Sequence, residues 1–262
     1  MIEENKKLEK LAQVSRKTML GTLGAGALAV TAAAAGMSIP SKVLAGITDV
    51  DILNFALNLE YLEAEFYTYA TTGHGIGGIV PTNGVGTPGA TTGGKQVNFD
   101  DNSVQGLLRK AAIELAYDEQ QHVRLLHGAL GSAAVAKPAI NLNALGVGFG
   151  NRDQFLLLAR AFEDTGVSAY AGAAPLLQSK NYLAVAARIL GTEAEHSGNI
   201  RLFVASFGVA TKPLDGLDVL PPPSGSRLFA VDNEALVAAR TVQQVLAIVR
   251  PFFPHGLNGT IH

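Results

Sequence analysis

The sequence contains no cysteine and no tryptophan, and only 16% of its 262 residues are charged. The absence of cysteine excludes disulfide bonds, thiolate metal ligands and a cysteine nucleophile. The net charge is -2 and no long basic run occurs, so we expect no nucleic-acid partner. Hydrophobic residues make up 48% of the chain, which is enough for one sizeable core. No alternation of apolar and polar residues is long enough to predict a strand, and the sequence therefore predicts an all-α protein.

The first 45 residues have the features of an export signal. Basic residues precede an uncharged stretch rich in Ala and Gly at residues 19–37, and small residues around Ala45 offer a cleavage site. The segment Ser15–Leu20, SRKTML, resembles the twin-arginine export motif with Lys17 in place of the second arginine. We expect a periplasmic or extracellular protein. The alternative is a membrane anchor formed by an uncleaved signal, since the uncharged stretch is nearly long enough to cross a bilayer.

Apolar residues recur at helical spacing in five segments that are separated by loops. The predicted helices cover residues 49–70, 101–127, 152–177, 181–207 and 233–249. The first four lie within residues 46–210 and predict a four-helix bundle. Residues 71–99, rich in Gly, Thr and Pro, predict a loop insertion after the first helix. Residues 211–262 are a C-terminal extension that contains the fifth helix.

Two of the predicted helices carry a Glu-x-x-His motif on their apolar face. In the fourth helix, Glu193 and His196 lie on the same stripe as Ile189. In the second helix, Glu119 and His122 have the equivalent placement. Residues three apart on a helix are neighbours, separated by roughly 4.5 Å of rise, so a carboxylate and an imidazole can approach one ion from the same helix.

The other two helices of the bundle also repeat each other. The first carries Glu60 with Tyr67 seven residues later, and the third carries Glu163 with Tyr170 seven residues later. The chain therefore consists of two helix pairs, and each pair supplies one lone glutamate and one Glu-x-x-His motif.

Glu63 is a second candidate on the first helix, because it also lies on an apolar stripe. In the alignment of the two halves, Gly166 occupies the place equivalent to Glu63, and the alignment therefore favours Glu60. Glu63 remains a candidate for a position next to the ligands. Asp118 and Asp164 adjoin inward-facing glutamates but point off the apolar face, where a solvated surface and a position next to the ligands are both open.

This fourfold pattern resembles the ferritin-like superfamily, whose bundles bind two metal ions through one Glu from each of two helices and Glu-x-x-His from the other two. The stretches ILNFALNLEYLEAEFY and FFPHGLNG also resemble its exported branch, which includes the desiccation-related proteins. The resemblance implies that Tyr67 and Tyr170 lie beside the metal site. The metal ligands that it implies are Glu60, Glu119, His122, Glu163, Glu193 and His196.

Two divalent ions are the cofactors that this ligand set implies. Four buried carboxylates would repel one another, and the four positive charges of two such ions balance them. Carboxylates with imidazoles and no sulfur suit iron or manganese, with zinc as an alternative. A polar network without metal is the other interpretation.

Two functions are compatible with such a site. The first is a di-metal oxidoreductase that oxidises iron or consumes oxygen or peroxide, so that its partners are small molecules. The second is a structural or desiccation-protective protein in which the metals only stabilise the bundle. Both functions need the same six residues. A homo-oligomer is a further possible assembly of this chain.

Overall fold

Five α-helices and a two-stranded parallel sheet form the regular structure of the computed structural model, which describes residues 46–99 and 106–262. The elements are α1 (Asp49–Thr72), β1 (Thr91–Thr92), α2 (Leu107–Leu130), β2 (Ile140–Asn141), α3 (Arg152–Ala173), α4 (Lys180–Ser206) and α5 (Val242–Val249). The predicted all-α fold class is confirmed. The predicted export signal and the predicted start of the second helix at Asp101 lie outside the described residues. Within the described ranges, no helix combines the length and the apolar character needed to cross a membrane.

The helices of the bundle begin and end at residues whose side chains or backbone favour those boundaries. Thr48 and Asp51 form a reciprocal capping box at the start of α1. The side chains of Asn151 and Ser179 accept backbone hydrogen bonds at the starts of α3 and α4. Gly73 ends α1 with a φ of 80°, a left-handed conformation that glycine adopts without steric cost.

The four long helices form two pairs around a shared interior. Helix α1 packs chiefly against α2, and α3 packs chiefly against α4. Glu60 contacts Tyr170, and Tyr67 contacts Glu163, so α1 and α3 run in opposite directions past each other. Helices α2 and α4 keep one exposed face, whereas α1 and α3 are buried on most sides. The inward stripes of all four helices therefore meet along one seam.

The glycine-rich insertion contains paired structure that the sequence did not predict. Strand β1 lies within the insertion and pairs with β2, which follows α2. A side chain at Gly89 would place its Cβ 2.1 Å from the backbone nitrogen of Ala139, so only glycine permits this approach. On α1, the Glu65 carboxylate accepts a 2.7 Å hydrogen bond from Thr91 and lies 3.3 Å from the Lys137 ammonium. These contacts hold the insertion against the outer side of α1.

The C-terminal helix is shorter than the sequence predicted. We predicted a start at Asn233, but α5 begins at Val242. The side chain of Asp232 accepts two 2.9 Å hydrogen bonds from backbone amides that follow it, which closes a turn where the helix was expected. Thr241 and Gln244 then form a capping box that sets the actual helix start.

Buried arginines fasten the C-terminal extension to α3 and α4. Arg160 on α3 donates hydrogen bonds of 2.7 and 2.8 Å to the carboxylate of Asp218. Arg201 on α4 is fully buried and donates 2.7 Å hydrogen bonds to Asp164 and to the backbone carbonyl of Leu228. Because Asp164 directly follows Glu163, the extension supports the part of α3 that faces the seam.

Candidate metal centre

The structure brings the six predicted ligand residues together inside the bundle. The four glutamates are at most 1% exposed, and the two histidines are 7% and 8% exposed. The side chains form two groups, and in each group four ligand atoms lie within 4.8 Å of one another. The groups are Glu60, Glu119, His122 and Glu193, and Glu119, Glu163, Glu193 and His196. Glu119 and Glu193 belong to both groups, so each of them could contribute a ligand atom to two ion positions.

The first group surrounds Nδ1 of His122. This nitrogen lies 3.1 Å from Oε2 of Glu119 and 3.2 Å from Oε2 of Glu60. Oε1 of Glu193 lies 3.3 Å from the same nitrogen. One atom from each of three helices thus faces the imidazole that α2 supplies.

The second group surrounds Nδ1 of His196. This nitrogen lies 3.0 Å from Oε1 of Glu119 and 3.4 Å from Oε2 of Glu163. The two oxygens of Glu119 therefore face different groups, as a bridging carboxylate requires.

Buried atoms without hydrogen-bond partners test whether metal ions fit this cluster. Within the described residues, such atoms include Oε1 of Glu119, Oε2 of Glu163, both carboxylate oxygens of Glu193 and Nδ1 of His196. Nδ1 of His196 and Oε1 of Glu119 are close, but their orientation is not that of a hydrogen bond. Each buried polar atom without a partner costs about 1–3 kcal/mol of folding stability. The atoms within each group are also as close to one another as the ligands of a single ion would be. The donor set also suits manganese, iron or zinc, so the cluster is compatible with metal binding.

The pKa values of the clustered glutamates are shifted, because these side chains are buried and lie close to one another and to the two histidines. Burial raises the pKa of Glu60 to about 7. Burial, followed by the charge of Glu119, raises the pKa of Glu193 well above its usual value. Burial also opposes ionisation of Glu119, but contacts with His122 and His196 lower its pKa below the usual range. Without metal the cluster therefore retains protons, and divalent cations would replace them.

Two tyrosines hold the lone glutamates from the opposite helix. Tyr67 on α1 donates a 2.5 Å hydrogen bond to Oε1 of Glu163 on α3. Tyr170 on α3 donates the equivalent hydrogen bond to Oε1 of Glu60 on α1. In both pairs the tyrosine occupies one carboxylate oxygen, and the other oxygen, Oε2, faces the histidine.

Glu63 and Gly166 occupy equivalent places in the two halves, and both lie beside the cluster. Glu63 is 4% exposed but belongs to neither group of converging atoms. Burial, then the charge of Glu193, raises the pKa of Glu63 well above its usual value. A Cβ at Gly166 would lie 2.2 Å from Oε2 of Glu193. Glycine at this position therefore leaves the space that the Glu193 carboxylate occupies.

Asp118 and Asp164, for which the sequence left two roles open, make different contacts in the structure. Oδ2 of Asp118 lies 3.2 Å from Nε2 of His196, on the side of the ring opposite the cluster. Asp164 instead accepts hydrogen bonds from Ser197 and Arg201 behind the cluster. The sequence analysis missed Ser197 and Arg201, because their relevance depends on contacts between distant segments.

Comparisons with known proteins agree with this fold and cluster. Residues 48–206 match the family model of the ferritin-like domain. The ferritin-like catalase Nec2 of Nesocodon mauritianus is 29% identical over 173 residues, covering 60% of this chain and 53% of the relative. The desiccation-related protein PCC13-62 of Craterostigma plantagineum is 29% identical over 171 residues, covering 59% of this chain and 52% of the relative. The chain thus spans about half the length of these curated relatives. Because the family model matches more than half of its length, this chain belongs to the ferritin-like family.

Proposed function

We propose that this protein binds two manganese or iron ions in its bundle and uses them to decompose hydrogen peroxide. The observation that carries the proposal is the pair of four-residue groups that share Glu119 and Glu193. When bound, two adjacent redox ions would supply the two-electron exchange that reduces one peroxide to water and oxidises the next to oxygen.

The residues of the chain contribute ligand positioning. Glu60 and Glu163 are each held by a tyrosine of the opposite helix, so each carboxylate presents a single oxygen to its ion. Hydrogen bonds of this kind restrict ligand rotation and tune the basicity of the ligand. A rigid ligand shell favours a reaction in which the ion positions stay constant between turnovers.

The size of the approach to the cluster favours a small substrate. A groove of about 180 Å³ lies between α2 and α4, and its lining includes Asp118 and His196. His196 is only 8% exposed, so little of its ring is accessible from this groove. So small an accessible surface favours a small substrate such as peroxide or oxygen.

The named relatives support two different outcomes. One of them is called a ferritin-like catalase, and this name favours peroxide decomposition. The other is called desiccation-related. This name supports a second candidate function, in which the metals stabilise a protective protein and catalyse no reaction.

Oxygen evolution from peroxide tests the proposal. Protein loaded with Mn²⁺ or Fe²⁺ is expected to release one O₂ for every two peroxides consumed, measured with an oxygen electrode and by peroxide absorbance. Glu119→Gln is expected to lose this activity together with bound metal. Glu195→Gln is the matched control, because Glu195 lies in the same motif as Glu193 but is exposed.

The possible results separate the candidate functions. Bound metal without oxygen release would favour the protective function. Oxidation of added Fe²⁺ without peroxide turnover would instead indicate a ferroxidase. Elemental analysis below about 0.2 ions per chain after metal supplementation would overturn metal binding itself.

The proposal includes a location outside the cytoplasmic membrane. The sequence of residues 1–45 supports export, and a twin-arginine route would carry a bundle that has already folded around its ions. Fractionation of the producing cells, with N-terminal sequencing of the protein, tests this part separately.

A further inference from the structure

One difference breaks the repeat between the two Glu-x-x-His helices. Asp118 precedes Glu119 on α2, whereas Thr192 precedes Glu193 on α4. Oδ2 of Asp118 lies 3.2 Å from Nε2 of His196, which α4 supplies. A carboxylate of one motif thus contacts the histidine of the other.

The equivalent contact is missing on the other side of the cluster. The Thr192 hydroxyl donates a 3.3 Å hydrogen bond to the carbonyl of Arg188 in its own helix. Among residues 46–99 and 106–262, none accepts a hydrogen bond from Nε2 of His122. The two histidines are therefore held differently, although their motifs are repeats.

A carboxylate on the remote nitrogen changes how an imidazole binds metal. It accepts the Nε2 proton, keeps the lone pair on Nδ1 and makes that nitrogen a stronger donor. Nδ1 is the His196 atom that faces Glu119 and Glu163. Removing such an outer partner typically weakens metal binding 10- to 100-fold.

Resting on the proposed di-metal function, we propose that the two ion positions are unequal and fill in order. The His196 position, formed by Glu119, Glu163, Glu193 and His196, binds its ion first and more tightly. The position around His122 fills second. Asp118 is the positioning residue that creates this difference, and its side chain is 32% exposed in the α2–α4 groove.

Stepwise addition of Co²⁺ to metal-free protein tests the order of filling, with absorption spectroscopy and calorimetry as readouts. The wild-type protein is expected to show two phases whose affinities differ by about tenfold or more. Asp118→Asn, which removes the charge with little change in shape, is expected to weaken the first phase about 10- to 100-fold. Its first-phase cobalt spectrum is also expected to change, because the donor strength of His196 changes. A loss of fold stability alone would not change this spectrum.

Glu114→Gln is the matched control, because Glu114 lines the same groove and forms no hydrogen bond or ion pair with His196. This variant is expected to keep both phases within about twofold of wild type. In competition between Mn²⁺ and Co²⁺, Asp118→Asn is again expected to weaken binding more than Glu114→Gln does. The metal-free forms of both variants are expected to melt at the wild-type temperature.

Two results would overturn the inference alone. One is a wild-type protein that binds its two Co²⁺ ions with equal affinity. The other is an equal weakening of the first phase by Asp118→Asn and Glu114→Gln, which would assign the weakening to the charge of the groove. Either result would leave the proposed function standing if the loaded protein still decomposed peroxide. Failure of the wild-type protein to bind Co²⁺, Mn²⁺ and Fe²⁺ would overturn both.

Discussion

Replacing Gly166 with alanine is expected to reduce metal-linked stability more than it destabilises the metal-free fold. The added Cβ would lie 2.2 Å from Oε2 of Glu193 and 3.4 Å from Oε1 of Glu63. The first distance is far inside van der Waals contact, so the Glu193 carboxylate must move. Because the clashing atom is the far end of a flexible side chain, the backbone of α3 can stay in place.

The expected magnitudes follow from these contacts. Alanine in a helix interior is favoured over glycine by about 1 kcal/mol, and overpacking costs about 1–3 kcal/mol, so the metal-free variant is expected to lose about 0–2 kcal/mol. Glu193 belongs to both groups of ligand atoms, and its displacement weakens both ion positions. A tenfold loss at each position removes about 1.4 kcal/mol per position, or roughly 3 kcal/mol of metal-linked stability.

Thermal unfolding with and without Mn²⁺ is the assay. About 1 kcal/mol corresponds to 2–4 °C for a domain of this size, so the rise in melting temperature on adding metal is expected to be roughly 6–12 °C smaller in Gly166→Ala. Gly191→Ala on α4 is the control, since its Cβ would meet no atom within 4 Å. A full metal-induced rise in Gly166→Ala would refute the assignment of Glu193 as a bridging ligand.

Three further predictions concern separate parts of the chain. Glu60→Gln is expected to lower metal content more than Glu63→Gln, because only Glu60 belongs to a converging group; the reverse order in elemental analysis would overturn the alignment of the two halves. Hydrogen bonds from Arg240 lower the pKa of Asp215 below 3.8, so this group stabilises the fold above that pH and the effect is lost as the pH falls through the folded value. The difference in unfolding free energy between wild type and Asp215→Asn is therefore expected to shrink in urea unfolding below about pH 4. Arg16→Ala is expected to retain the precursor in the cytoplasm, and unchanged export on fractionation would exclude a twin-arginine signal.

The seam of the bundle was predictable from the sequence because it depends on local periodicity. Spacing of three and four residues places Glu119 and His122 on one helical face whatever their partners are. The repeat of this spacing at Glu193 and His196 predicted a second inward pair. The structure brings all four side chains together, and their role as ligands remains a prediction.

Contacts between distant segments were not predictable in the same way. The Asp118–His196 pair joins residues 78 positions apart, and no periodicity within one helix specifies it. Arg201 lies off the apolar stripe in the sequence, yet it is fully buried because residues of the C-terminal extension supply its carbonyl partners. The start of α5 was misplaced for a related reason, since the turn at Asp232 competes with the helix for the same backbone amides.

The central claim is that two ions lie between Glu119 and Glu193, and anomalous X-ray scattering from manganese-loaded crystals tests it most directly. The account predicts two anomalous peaks about 3.5–4 Å apart, the separation usual for two-metal sites. One peak is expected beside Nδ1 of His122 and the other beside Nδ1 of His196. A single peak, or no peak within the bundle of a protein shown to be loaded, would contradict the account.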